Sequence, residues 1–464
     1  MANVTSSLWI NVSPPPPFST RRAPGHPTGG VSLSVPMKRK HLLLGLGLLL
    51  AAILLCSLTG VFVWNHFWPH TPIQKRVEAM VRPWRFDLLR YEADAIIIKA
   101  EEMLFRPGRT LSSEEQIALV KDYVALSRRI HRLKRDIERI YADPEVAEPD
   151  QAARADQQAL DAMLTLQAEA RPMVETILAR QVTETMKAMG LDVVGVVWPP
   201  IAFRFSALPN YLIVSPRDRI ELEAGVHLRP NLTARQKEII EDEVAQALDR
   251  STLIEALGGL GVWPTLVSDE ANLAWILDTI AHEWVHTHMA FHPLGWHMFD
   301  SPQMNTINET VATIIGNEVG AEVAYRYYGI PKPKPKPLPE KPSELPPPDP
   351  NAFDFQTEMR RTRLKVDELL AQGRIDEAEA YMETRRREFV KHGYAIRKLN
   401  QAYFAFHGSY ATTSASTDPI GPKLRELRSL TPDLATFMRE VQTIRRPEDL
   451  DPLLESWRQQ RKRD

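Results

Sequence analysis

Along most of the chain apolar residues recur three and four positions apart among charged ones, the spacing of amphipathic helices. The first such stretch runs from Ile73 to about Arg106 and breaks at Pro107-Gly108. A second opens at Leu111-Ser-Ser-Glu-Glu, which has the form of a capping box, and continues to about Tyr141. After the turn from Asp143-Pro to Glu148-Pro-Asp a third runs from about Gln151 to Met189 and is ended by Gly190. Residues 69–190 are therefore expected to form a helical stalk or cover, with a solvated helical hairpin as the plainest account of the many charges.

At Leu191 the pattern shortens. Val193 to Val197, Ile201 to Phe205, Tyr211 to Val214 and Arg219 to Leu222 read as short strands between proline-bearing turns. Thr233 to Ala256 reads as a helix and Gly258-Gly-Leu-Gly261 as a flexible loop. Helical spacing then returns from Asn272 to Phe291, with Leu273, Ile276, Leu277, Ile280 and Trp284 on one face, and again from about Asn305 to Tyr328, closed by Gly329 and Pro331. The lysine-proline run from Pro331 to Pro350 predicts an extended polyproline connection. Helices resume at about Phe353, with Gly373 at the turn of a helical hairpin, Arg385 to Phe406 helical and a last helical portion from Pro432.

The chain of 464 residues is long enough for two or three domains. A formal charge of −2 gives no reason to expect a nucleic-acid partner. The single cysteine, Cys56, excludes both a disulfide framework and a thiolate metal site, so any metal must be held by histidine and carboxylate.

Cys56 lies in the run from Leu42 to Trp64, about 23 uncharged residues, enough to span a bilayer. Lys38-Arg-Lys40 before it predicts a cytoplasmic N-terminus and an extracytoplasmic remainder. A cleaved signal peptide is the alternative, against which stands the lack of a small-x-small cleavage site. The expected organisation is a disordered tail at 1–36, a transmembrane anchor at 37–68, the helical region at 69–190, a catalytic domain at 191–330, a proline-rich linker at 331–352 and a helical subdomain at 353–464.

The candidate chemistry lies at His282-Glu-Trp-Val-His286. Histidines four apart on a helix stand one turn above each other, about 40° apart around the axis, so two imidazoles can grip one ion from one face. A glutamate beside the first can reach water in an open coordination position. The third ligand is expected at Glu309, because Glu309, Ala312, Thr313, Gly316, Gly320 and Ala324 share one side of their helix, and small residues at that spacing let helix backbones approach closely. Glu318 and Glu322 are expected to point away. The rival is His292, where a metzincin pattern puts its third histidine, with Met304 available as a Met-turn; that pattern has glycine at the position of Met289. His288 and His297 are expected to be surface residues or supports rather than ligands.

His282-Glu-Trp-Val-His286 followed by Asn308-Glu-Thr-Val-Ala312 resembles the gluzincin pattern of zinc metallopeptidases, HExxH then NExxA, as in bacterial membrane-bound predicted aminopeptidases. The resemblance covers about a tenth of the chain. It implies one zinc ion on His282, His286 and Glu309, Glu283 as general base, peptide or protein substrates, and an α+β, mostly helical fold with a small sheet beside the HExxH helix. Thr313 stands where thermolysin-like members carry an aspartate that orients a histidine, so another group would have to do so here. His407 and Tyr410 are noted as loop residues of the kind that gluzincins use to stabilise an oxyanion. The competing expectations are a non-enzymatic membrane-tethered helical scaffold, a zinc-binding protein without hydrolysis, and a metzincin-like site using His292.

Overall fold

The structure, a computed structural model, describes residues 71–87, 111–142, 148–333, 353–408, 416 and 418–463. Helix α1 (Pro72–Met80) opens with the Thr71 hydroxyl accepting from Gln74 N–H and with proline at its first position, where no amide is needed. It stops far short of Arg106, because Pro83 enters a 3-10 turn at Arg82–Trp84 and Arg85 then bridges to a strand at Leu228. Helix α2 (Ser113–Ala142) has the expected capping box, with Glu115 N–H donating to Ser112 Oγ and Ser112 N–H to Glu115. Helix α3 (Arg154–Ala188) ends where Gly190 turns left-handed. The two long helices pack together, and α3 buries Val174, Ile177, Leu178, Val182 and Met186 in one cluster with the histidine-bearing helix that follows.

The strands are β1 (Phe203–Phe205), β2 (Asn210–Ser215) and β3 (Ala224–Leu228), then, after helix α4 (Ala234–Leu248), β4 (Ser251–Ala256), β5 (Gly259–Leu260) and β6 (Thr265–Val267). They form two small sheets among the described residues. In one, β2 lies between β3 and β4, antiparallel to both. In the other, β6 is parallel to β1 and antiparallel to β5, which lies at the edge.

Three local expectations fail here. Val193 to Val197 is a tight turn with only a Val193–Val196 bridge, and Arg219 to Leu222 forms no strand. The helix expected to reach Ala256 ends at Leu248: Asp249 adopts a left-handed conformation, and Ser251-Thr-Leu-Ile pairs with β2 instead. The gain is two-sided burial. Ile254, with Leu212, Val214 and Val226, packs on Ile240 and Val244 of α4, while Ile213 and Leu253 face the later helices.

Helix α5 (Leu273–Met289) starts at Asn272, whose side chain accepts from Trp275 N–H. Helix α6 (Pro302–Tyr328) starts at Ser301 and ends at the left-handed Gly329. These two make the widest contact in the fold. The C-terminal part supplies α7 (Phe355–Ala371) and α8 (Ile375–Lys391), joined through Gly373 as expected, then α9 (Gln401–His407), α10 (Ile420–Leu430), α11 (Leu434–Val441) and α12 (Leu450–Arg463). The continuous helix expected from Arg385 to Phe406 is interrupted between Lys391 and Gln401. Helix α9 covers β2 and β4, while α10 packs on α6.

The described chain is thus mostly helical with small sheets, but the expected single N-terminal transmembrane helix is not supported. Among the described residues no helix is long and apolar enough to cross a membrane. The apolar α5 has 17 residues, fewer than the roughly 20 that a span needs, and the longer α3 and α6 carry charged groups along their length. Residues 37–68, on which the anchor was placed, lie outside the described residues. The single-pass membrane location with an extracytoplasmic catalytic domain is corrected accordingly.

Candidate metal centre

The helical period brings His282 and His286 to the side of α5 that faces α6, and the small residues of α6 let that side come close. A Cβ on Gly316 would stand 2.9 Å from the Asp278 carbonyl oxygen and 3.0 Å from His282 Cβ; one on Gly320 would stand 2.6 Å from the Asp278 amide nitrogen. At Gly320 a Cβ cannot fit without moving the α5 backbone, and this close approach puts the Glu309 carboxylate against both imidazoles.

His282 Nε2 and His286 Nε2 are 3.1 Å apart, and Glu309 Oε2 lies 3.4 Å from the first and 3.6 Å from the second. Ligands at zinc-like bond lengths of about 2.0–2.1 Å in a tetrahedron stand about 3.3 Å from one another. The three atoms are therefore spaced as three corners around one ion. Glu309 Oε2 is buried and has no hydrogen-bond partner, an orphan that a cation would satisfy. Among the described residues these three form the group able to hold a metal ion; His292 is not part of it.

The charges agree with the geometry. Burial alone would push the Glu309 carboxyl up, but the imidazoles of His286 and His282 hold it well below the usual carboxylate range. Burial would lower His286, yet the Glu309 carboxylate outweighs it and raises that imidazole to about 9 in the metal-free chain. Glu283, on the turn between the two histidines, is buried, and that burial raises its carboxyl despite the pull of both imidazoles. Its carboxylate lies under the glycine segment read as a loop: a Cβ on Gly259 would fall 2.2 Å from Glu283 Oε1, and one on Gly261 3.3 Å from Oε2. Edge strand β5 thus passes over Glu283.

The other candidates are placed elsewhere. His288 Nδ1 bonds the Trp198 carbonyl at 2.7 Å and its ring packs on His292, which precedes a short turn of helix at Pro293–Trp296. Met289 is still helical and fully buried, so α5 does not break where a metzincin needs it to. Met304 sits in the core. His297 pairs with Asp300 at the surface. Glu318 pairs with Arg428 of α10 and Glu322 with Lys332, both away from the centre. His407 packs on Tyr403 and is lowered to about 4 by burial; Tyr410 lies outside the described residues.

Two residues at the centre were missed from sequence. Asn308 Oδ1 lies 2.8 Å from His286 Nδ1. Tyr211 on β2, its ring against His227 and Phe406, is raised to about 12 by burial and by the Glu309 charge, which places its phenol within electrostatic reach of the centre. The NExxA pattern contained the first in plain sight; nothing local marks the second.

Compared with known proteins, the chain matches no family model, no curated protein and no solved structure.

Proposed function

We propose that the chain is a zinc-dependent metallopeptidase of gluzincin type, with His282, His286 and Glu309 as ligands and Glu283 as general base. The observation that carries this is the tetrahedral-edge spacing of the three ligand atoms, with an orphaned carboxylate oxygen at one corner. Zinc held there would lower the pKa of a bound water to about 7 and polarise a scissile carbonyl.

The remaining work falls to the chain. Glu283, next to His282 on α5 with its carboxylate under β5, takes a proton from the attacking water and returns it to the amine that leaves. Its raised carboxyl brings proton affinity nearer to neutrality, which suits a group that must accept and then donate. β5 is the edge strand of its sheet and passes over Glu283, and an extended peptide can add to a sheet edge by main-chain hydrogen bonds. This supports peptides as the substrate class.

The test is metal analysis joined to a hydrolysis assay on a mixed peptide library. The wild-type protein should carry one zinc per chain and cleave. Glu283→Gln should keep the zinc and lose activity by roughly 10²–10⁴-fold. A wild-type protein that binds no zinc would end the proposal; one that binds zinc but whose activity survives Glu283→Gln would remove Glu283 as the base.

A further inference from the structure

We infer that Gly259, on the edge strand β5, is a positioning residue for Glu283: the space where its side chain would stand is the space that the carboxylate occupies. The inference rests on the peptidase reading above and deepens it.

Three glycines between Gly258 and Gly261 each lie against a different side chain of α5. An added Cβ would stand 2.6 Å from Trp275 Cζ2 at Gly258, 2.6 Å from both Cγ and Cδ of Glu283 at Gly259, and 2.8 Å from His286 Cβ at Gly261. None of the three has a left-handed backbone, so conformation does not require glycine at these positions. The contacts with α5 do. The three atoms nearest to a Cβ on Gly259 all belong to Glu283, whereas the nearest to one on Gly261 belongs to His286. The two positions therefore bear on different parts of the centre, Gly259 on the base and Gly261 chiefly on a ligand.

Glu283 is 7% exposed and has β5 over its carboxylate. Pairing with β6 holds that strand in place, Gly259 with Val267 and Leu260 with Leu266, and both β6 residues are buried in the core. A methyl group at Gly259 would thus have a paired strand behind it and α5 in front, and the flexible Glu283 side chain between them is what moves. Ordinary carbon contacts of about 3.5–4.0 Å require a shift of about 1 Å. A misplacement of that size can cost about 100-fold in rate.

Two double-mutant cycles test this. The first reads thermal melting of the metal-free chain, with Gly259→Ala made in wild type and in Glu283→Ala, which removes the three nearest atoms. Gly259→Ala should lower the melting temperature in wild type and leave it unchanged or raised in Glu283→Ala. The second reads zinc content and cleavage of a peptide substrate, with Gly259→Ala made in wild type and in Glu283→Gln. In wild type it should keep one zinc per chain and the KM while kcat falls about 100-fold. In Glu283→Gln it should cost nothing further, because a residue that acts through the base has no base left to displace. Equal melting losses in the two backgrounds, loss of zinc, or a kcat loss that recurs in Glu283→Gln would overturn the inference. A wild-type chain without zinc or cleavage would instead sink the peptidase proposal and the catalytic consequence with it, while the melting cycle would still decide whether Gly259 and Glu283 compete for one space.

Discussion

Gly320→Ala adds one methyl group at the closest approach of α5 and α6. Taken alone, alanine in a helix interior is favoured over glycine by about 1 kcal/mol. Here the new Cβ would lie 2.0 Å from Asp278 Oδ1, 2.6 Å from the Asp278 nitrogen and 2.7 Å from its Cα. The carboxylate can swing aside, but the other two atoms are backbone of α5. Ordinary carbon contacts need about 3.5–4.0 Å, so the helices must part locally by roughly 1 Å. Overpacking of that kind costs about 1–3 kcal/mol, and parting also loosens packing along the buried faces. The expected net effect is a loss of up to about 2 kcal/mol, after the helix-propensity gain is set against it.

Gly316→Ala is the internal control. Its Cβ would meet the Asp278 carbonyl oxygen at 2.9 Å and His282 Cβ at 3.0 Å, an overlap of a few tenths of an ångström, which the propensity gain of about 1 kcal/mol can offset. Urea denaturation with an unchanged m-value measures both variants. Zinc affinity should fall at least about tenfold in Gly320→Ala, since ligand geometry tolerates only about 0.5 Å of error. Equal stability of Gly320→Ala and wild type, with zinc affinity intact, would refute the claim that glycine at this position sets the distance between ligand helices.

Glu309→Ala should abolish stoichiometric zinc while His292→Ala leaves it in place, read by metal content after dialysis; the reverse outcome would restore the metzincin-like alternative. The centre should also couple metal to protons. In the metal-free chain Glu309, against the opposing effect of burial, raises His286 to about 9, above the unfolded value of about 6.5. Protonated His286 therefore stabilises the metal-free fold fully below about pH 6.5, and that contribution fades as pH rises through about 9. Zinc must displace the same proton, so its affinity should climb between about pH 6.5 and 9 with one proton released per ion. Calorimetry in two buffers of different ionisation enthalpy counts that proton, and a flat affinity across the window would contradict the assignment.

What could be read from sequence was whatever depended on short range. The period of α5, its Asn272 cap, and the spacing of Ala312, Gly316 and Gly320 on α6 together located three of the groups that meet, because a helix fixes the bearing of each side chain. Ser251 to Ala256 could not be read. It continues the apolar spacing of α4, and only pairing with β2, some forty residues earlier in the chain, turns it into a strand. Tyr211 was hidden for the same reason, since its approach to Glu309 depends on how a sheet and a helix pair are set together. Asn308 was visible but mute: its role depends on a 2.8 Å contact with a ring on another helix. The apolar run at Leu42 to Trp64 illustrates the converse, where a strong compositional signal led to a membrane anchor that no described helix supports.

The scaffold alternative can be weighed against the chain's own buried carboxylates. Glu241 is fully buried on α4, and every demand of its charge is met: Arg397 and Lys398 pair with it and Ile254 N–H donates to it. Glu175, 1% exposed on α3, accepts from Phe205 N–H. These are carboxylates whose burial is compensated inside the protein, the ordinary condition for a structural role. Glu309 breaks the pattern. Its Oε2 has no hydrogen-bond donor, two imidazole nitrogens converge on it at 3.4 and 3.6 Å, and the neighbouring Asn308 leaves its own amide unpaired while supporting one of those rings. A fold that compensates Glu241 and Glu175 from within and leaves Glu309 Oε2 without a hydrogen-bond donor has three ligand atoms spaced for a cation at that point, and a helix pair serving only as scaffold would lose little by carrying apolar residues at all three positions.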